Sequence, residues 1–179
     1  MSRTVTAVEP DPMQSGRVRV RIDGQPYCSL PAERAAAAGL KAGVALDAAG
    51  VRDLNRVADE EATYRTLLRA LERRSYAMAE LGRWLVRKGH PRPSVAAALS
   101  RAVNAGLLDD VAFAGRFVQS RTERGRGPAR ITRDLTSLGI PREVIDHALA
   151  TALPPDHDPE VAAADLARRR LNQLGELYQ

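Results

Sequence analysis

Leu81 and Ile131 stand 50 positions apart, and the same offset links Leu85 to Leu135, Gly89 to Gly139, Pro91 to Pro141, Val95 to Ile145, Leu99 to Leu149 and Ala102 to Ala152 (131 − 81, 139 − 89, 149 − 99). Ala62 and Ala112, Leu67 and Phe117, Arg74 and Arg124, Arg83 and Arg133, and Arg92 and Arg142 keep it too. One spacing shared by helix faces, turn glycines and turn prolines is the mark of a repeat architecture. Each unit of such a chain buries its apolar face against its neighbours.

Within one period the apolar residues have helical spacing. Tyr64, Leu67, Leu68 and Leu71 recur at intervals of three and four, and Met78, Leu81 and Leu85 do so up to Gly89. Val95, Leu99, Ala102 and Val103 form a third stripe that ends at Gly106. Three amphipathic helices joined by short turns follow from this pattern, starting at about residue 60. The sequence therefore predicts two tandem three-helix modules, 59–108 and 109–154. Asp109-Asp110 opens the second module as a helix cap suited to the positive end of the dipole, and Pro128 fits the first turn of its second helix. After Pro154-Pro155-Asp156, Val161 to Gly175 reads as the first helix of a third module, so 155–179 is expected to be a partial unit. Stacked modules of this kind predict an elongated, curved molecule.

Residues 1–58 read differently. Arg17-Val18-Arg19-Val20-Arg21-Ile22 alternates strictly, which puts three apolar side chains on one face of a strand and three arginines on the other. Asp23-Gly24 is a hairpin turn signal. Tyr27 to Leu30 can return as the partner strand, and Thr4 to Val8 can add a third. Pro31 opens a short helical run through Ala38, closed by Gly39. A lone hairpin is marginal in water and has to pack on this helix or on the first module. The expected fold is mainly α, with tandem three-helix repeats and a small N-terminal β-hairpin subdomain.

Composition narrows the function classes. Only 4% of the residues are aromatic, so the core is built from Ala, Leu and Val, which suit closely packed helices. The net charge is +5, and of 27 basic residues only Lys41 and Lys88 are lysine. Guanidinium groups fork onto phosphates and carboxylates, so nucleic acid or an acidic protein surface is the expected partner class. Cys28 is the single cysteine, which excludes a disulfide within one chain. His90, His147 and His157 have no ligand spacing with one another or with Cys28, so no metal is expected. No phosphate-cradling glycine loop, serine elbow or carboxylate pair is present, and neither catalytic residues nor a cofactor is expected. With no apolar run long enough for a membrane span and no secretory signal at Met1-Ser2-Arg3-Thr4, the cytoplasm is the expected compartment.

Leu71-Glu72-Arg73-Arg74-Ser75-Tyr76, followed by Glu80-Leu81, Leu85 and Arg87-Lys88-Gly89, resembles the first-module motif of the RecX family of recombinase-regulatory proteins. Gly106-Leu107-Leu108-Asp109-Asp110 with Phe113-Ala114 resembles the junction that opens the family's second module. Arg121, Gly125, Gly127, Arg130-Ile131, Leu135 and Gly139-Ile140 are similar to the motif that follows. The resemblance covers about residues 60–153. The chain departs from the family at Asp134, where Glu is usual, and in Gly82, a mid-helix glycine that costs about 1 kcal/mol relative to Ala. Membership implies a monomeric, non-enzymatic protein that binds in the groove of the RecA recombinase filament on DNA. It implies suppression of ATP turnover, strand exchange and co-protease activity, in recombination, repair and the SOS response.

The candidate partner- or DNA-binding residues are Arg69, Arg73, Arg74, Arg83, Arg87 and Lys88 in the first module. In the second they are Arg121, Arg124, Arg126, Arg130 and Arg133. Arg65, Arg69, Arg73 and Arg87 share helices whose apolar faces are already assigned, so they are expected to face solvent. Arg124-Gly125-Arg126-Gly127 is a basic loop before a helix N-terminus, where amides, dipole and guanidinium groups all favour an anion. Each arginine alone also suits a solvated face with local carboxylate partners. Trp84 suits either a partner anchor or a residue packed between modules, and Tyr76 suits packing. Two other readings stay open: a helical module that binds single- or double-stranded DNA without RecA, and a repeat adaptor for another acidic protein.

Overall fold

The computed structural model describes residues 2–152. The expected partial third module, 155–179, lies outside them. The described chain divides into two compact units: Met1–Ala70 with Leu85–Arg101, and Leu71–Trp84 with the residues from Ala102 onward.

The first unit begins with a four-stranded antiparallel sheet, more than a hairpin. Its strands are β1 (Arg3–Pro10), β2 (Arg17–Ile22), β3 (Gln25–Pro31) and β4 (Ala45–Leu46), in the order β3-β2-β1-β4. Ile22 pairs with Gln25, so Asp23-Gly24 is the whole β2–β3 loop. Both residues have positive φ (50° and 79°), as a type I′ turn requires. Asp23 also ties the hairpin to β1: Arg3 Nε donates to its Oδ2 at 2.8 Å and the Thr4 backbone N–H to its Oδ1 at 2.9 Å. The alternation in β2 works as the sequence predicts. Val20 and Ile22 are buried with Val5, Leu30, Ala35, Leu40 and Leu54, while Arg19 and Arg21 are exposed.

Pro31 precedes α1 (Ala32–Ala37), and then α2 (Ala48–Leu71) starts well before residue 60. Asp47 sets its start by accepting from the Gly50 backbone N–H at 2.7 Å. The helix pattern is faint there because this stretch buries only Leu54 deeply, with Val57 and Ala58 packed beside it on the sheet core. An expected boundary between residues 58 and 59 thus falls inside one helix. Farther along α2, buried Glu61 accepts from Arg101 Nη1 at 2.8 Å and pairs with Arg34 Nε at 3.2 Å. Arg101 also lies over the Tyr64 ring, 3.9 Å from its centroid.

The remaining helices are α3 (Met78–Arg87), α4 (Arg92–Asn104), α5 (Asp110–Glu123), α6 (Pro128–Leu138) and α7 (Arg142–Ala152). The 50-residue offset relates α3 to α6 and α4 to α7. Leu81 and Ile131, Leu85 and Leu135, Val95 and Ile145, and Ala98 and Ala148 are buried in matching pairs. Fully burying each of the larger side chains contributes about 1.5–3 kcal/mol. Gly89 and Gly139 have the same left-handed φ, 91° and 90°. After α3, the His90 N–H bonds back to the Leu85 carbonyl at 3.2 Å; after α6, the Ile140 N–H bonds to the Leu135 carbonyl at 3.1 Å. Two residues leave their expected stripes, since Met78 and Val103 are exposed.

The second unit is built around Ala77, Ala114, Val118, Ile131, Leu135, Ile140, Ile145 and Ala148. The N-terminal part of α3 belongs to this unit. Asp109 caps α5 through the Ala112 N–H at 2.9 Å, as expected. Asp110 does something else: its Oδ1 accepts from the Met78 N–H at 2.8 Å and so caps α3.

Candidate partner-binding surface

The basic residues of the second unit fall into two groups. Arg74 and Arg83 are exposed but tied to partners within it. Arg74 donates to both Glu80 carboxylate oxygens at 2.7 and 3.3 Å and lies 3.5 Å from the centroid of the Tyr76 ring. The Glu80 hydrogen bond, opposed by some desolvation, raises the pKa of Arg74. Tyr76 in turn packs on Trp84, with ring centroids 6.3 Å apart. Arg83 Nη2 donates to the Ser137 and Leu138 carbonyls at 3.0 Å each. A cation there meets the negative end of the α6 dipole and satisfies carbonyls that a helix end leaves open. At the same joint Gly139 comes so close to α3 that an added Cβ would lie 2.6 Å from Ala79 Cβ. Sequence spacing cannot reveal this role, because Arg83 meets carbonyls 54 and 55 residues away.

The second group is open. Helix α5 runs into a turn at Arg124 (φ −89°), and Gly127 precedes Pro128 at the start of α6 with no side-chain cap. Arg124, Arg126 and Arg133 are exposed. Among the described residues they make no side-chain hydrogen bond or ion pair, and the same is true of Arg73 and Arg116. Arg130 lies 3.9 Å from Asp134 Oδ1, a loose i,i+4 pair between partly solvated groups that contributes a few tenths of a kcal/mol at most. Arg121 is half-buried with its guanidinium 4.8 Å from the centroid of the Phe117 ring. The turn at 124–126 thus presents guanidinium groups without partners among the described residues, next to backbone N–H groups at the start of α6.

Arg69, Arg87 and Lys88 belong to the first unit and are exposed. Arg65 is the exception to the expected solvent-facing set, because it is half-buried. Its guanidinium pKa is lowered, first by burial and then by the positive charges of Arg17 and Arg69. No helix among the described residues is long and apolar enough to cross a membrane.

Comparison with known proteins agrees with this architecture. The family model described as RecX, second three-helix domain, matches residues 109–149. A regulatory protein RecX of Halorhodospira halophila is 42% identical over 95 residues, which make up 53% of this chain and 59% of the relative, so this match spans less than two thirds of the relative's length. A regulatory protein RecX of Chromohalobacter salexigens is 37% identical over 111 residues, 62% of this chain and 72% of the relative. A crystal structure of regulatory protein RecX covers 98% of this chain and 84% of its own, with a TM-score of 0.75 and 21% identity. RecX from Lactobacillus salivarius covers 66% of this chain and 76% of its own, with a TM-score of 0.54 and 17% identity. At that identity the two structures show a shared fold. The repeated helices and the matched relatives together place the chain in the RecX family of regulatory proteins.

Proposed function

We propose that this chain is a negative regulator of the RecA recombinase, a monomeric cytoplasmic protein with no catalytic step of its own. It binds in the groove of the RecA–DNA filament and restrains ATP hydrolysis, strand exchange and co-protease activity. The observation that supports this reading most is the set of exposed guanidinium groups at Arg124, Arg126 and Arg133, which have no partner among the described residues, on a module that matches the family. A carboxylate or phosphate can meet such groups without an existing ion pair having to break first. A protein bound across neighbouring filament subunits changes their chemistry through its differential affinity for filament states.

The test is ATP hydrolysis by RecA on single-stranded DNA with increasing amounts of this protein. Substoichiometric amounts are expected to slow it, and an unchanged rate at equimolar protein would sink the proposal. A charge reversal at Arg124, Arg126 and Arg130 tells which ligand the turn serves. If filament binding is lost while binding to bare DNA persists, the turn contacts protein.

A further inference from the structure

Among the described residues five large apolar side chains are exposed, and four of them belong to one part of the second unit. Met78, at the start of α3, is 41% exposed, and Val103, near the end of α4, is 43% exposed. Both line a groove of about 440 Å³ together with Gly106, Leu108, Asp109 and Asp110. Leu107 and Val111, 48% and 52% exposed, adjoin these lining residues in the chain. Single exposed apolar side chains are ordinary, but several collected about one concave place mark an interaction surface.

The rim of the groove is acidic. Asp109 Oδ1 accepts from the Ala112 N–H at 2.9 Å and Asp110 Oδ1 from the Met78 N–H at 2.8 Å. Those bonds fix both carboxylates in place. The second oxygen of each has no hydrogen bond or ion pair among the described residues. The positive ends of the α5 and α3 dipoles offset part of the charge. No guanidinium does so, in a chain with 27 basic residues and a net charge of +5.

The surroundings also select the shape of a partner. The described strands all lie in the first unit, so an extended peptide finds no sheet edge to pair with at this groove. A helix satisfies its own backbone hydrogen bonds and lays side chains three and four residues apart into such a groove. We propose that the groove bounded by Met78, Val103, Asp109 and Asp110 docks an amphipathic helix of a partner protein, one that carries lysine or arginine beside its apolar face. Its apolar side chains cover Met78 and Val103, and its cations meet the open carboxylate oxygens. The proposal does not rest on the action on RecA, because the groove and the Arg124–Arg126 turn are different surfaces with opposite charge.

The experiment is fluorescence anisotropy of two labelled synthetic helices with the full chain, without recombinase, at about 0.15 M NaCl, where the Debye length is about 8 Å. One helix has a leucine face and a lysine face; the other has glutamate for lysine. The net charge of the chain favours the glutamate helix at long range, so a preference for the lysine helix can come only from local carboxylates. The lysine helix is expected to bind several-fold more tightly than the glutamate helix. Val103→Ser and Leu107→Ser are each expected to weaken its binding about five- to tenfold, the share of a transfer free energy that a half-exposed side chain still has to gain. Asn caps helices as Asp does, so Asp109→Asn with Asp110→Asn keeps both caps and is expected to abolish the preference for lysine over glutamate. Met13→Ser, at the fifth exposed apolar residue, 82% exposed in the first unit, is expected to change nothing. Circular dichroism of each variant shows that it is folded. No binding of the lysine helix, equal binding of the two helices, or a Val103→Ser chain that is folded and binds as the native one does, overturns the proposal. So does a loss in Met13→Ser as large as that in Val103→Ser.

Discussion

Gly139→Ala tests the joint between α3 and α6, and Gly89→Ala is its built-in control. Both glycines sit 50 residues apart with φ near +90°, so an alanine at either position meets the same backbone strain. That strain costs roughly 1–2 kcal/mol, offset in part by the lower entropy of the unfolded chain. The surroundings differ. A Cβ at Gly89 has nothing within 4 Å, whereas one at Gly139 lies 2.6 Å from Ala79 Cβ and 3.1 Å from Arg83 Nη1. Carbon pairs rest at about 3.5–4.0 Å, so the helices have to separate by roughly 1 Å. Overpacking of this kind costs about 1–3 kcal/mol. The shift also draws Arg83 away from the Ser137 and Leu138 carbonyls. Urea denaturation followed by circular dichroism is expected to show Gly139→Ala less stable than Gly89→Ala by about 1–3 kcal/mol. Ala79→Gly in the Gly139→Ala background removes the opposing methyl and is expected to recover most of that difference, less about 1 kcal/mol for a glycine inside α3. Equal losses for the two alanine variants, or no coupling with Ala79→Gly, would refute the close approach.

Two further outcomes follow from the first unit. Glu61→Gln leaves Arg34 and Arg101 without their shared carboxylate. These arginines are 39% and 46% exposed and water resolvates them, so the expected loss in urea denaturation is about 1–3 kcal/mol, below the ~3–5 of a wholly buried pair; an unchanged midpoint would show that the pair contributes nothing. The Asp11 carboxyl is held below the usual carboxylate range, first by the Met13 N–H and then by Arg19 and Ser29, and the Asp23 carboxyl first by the Thr4 N–H and then by Arg3. A folded-state pKa below the unfolded value makes their contribution complete above about pH 4 and lost as pH falls through the folded value. Acid titration is expected to loosen the native sheet in that lower window, and Asp11→Asn with Asp23→Asn to flatten the dependence; an unchanged acid profile in the double variant would count against these bonds.

The correspondence of α3 with α6 and of α4 with α7 was legible in the sequence. Period and helical spacing are local properties: apolar residues three and four apart bury together on any helix, and a glycine after the last turn closes it. The β2–β3 turn was equally plain, because Asp-Gly readily takes the positive φ of a two-residue loop whose twist matches that of the strands. The early start of α2 was obscured because only the sheet it packs on makes Leu54, Val57 and Ala58 an apolar stripe.

The site was less legible than the fold. Arginine type and number came from composition, and these marked a basic protein with anionic partners. Which arginines are open was decided by tertiary contacts. Arg83 caps a helix more than fifty residues away and Arg74 is bound to Glu80, while Arg124, Arg126 and Arg133 have no partner among the described residues. Side-chain chemistry is written one residue at a time, whereas the free energy of a charge depends on every group around it. Only the folded chain brings those groups together.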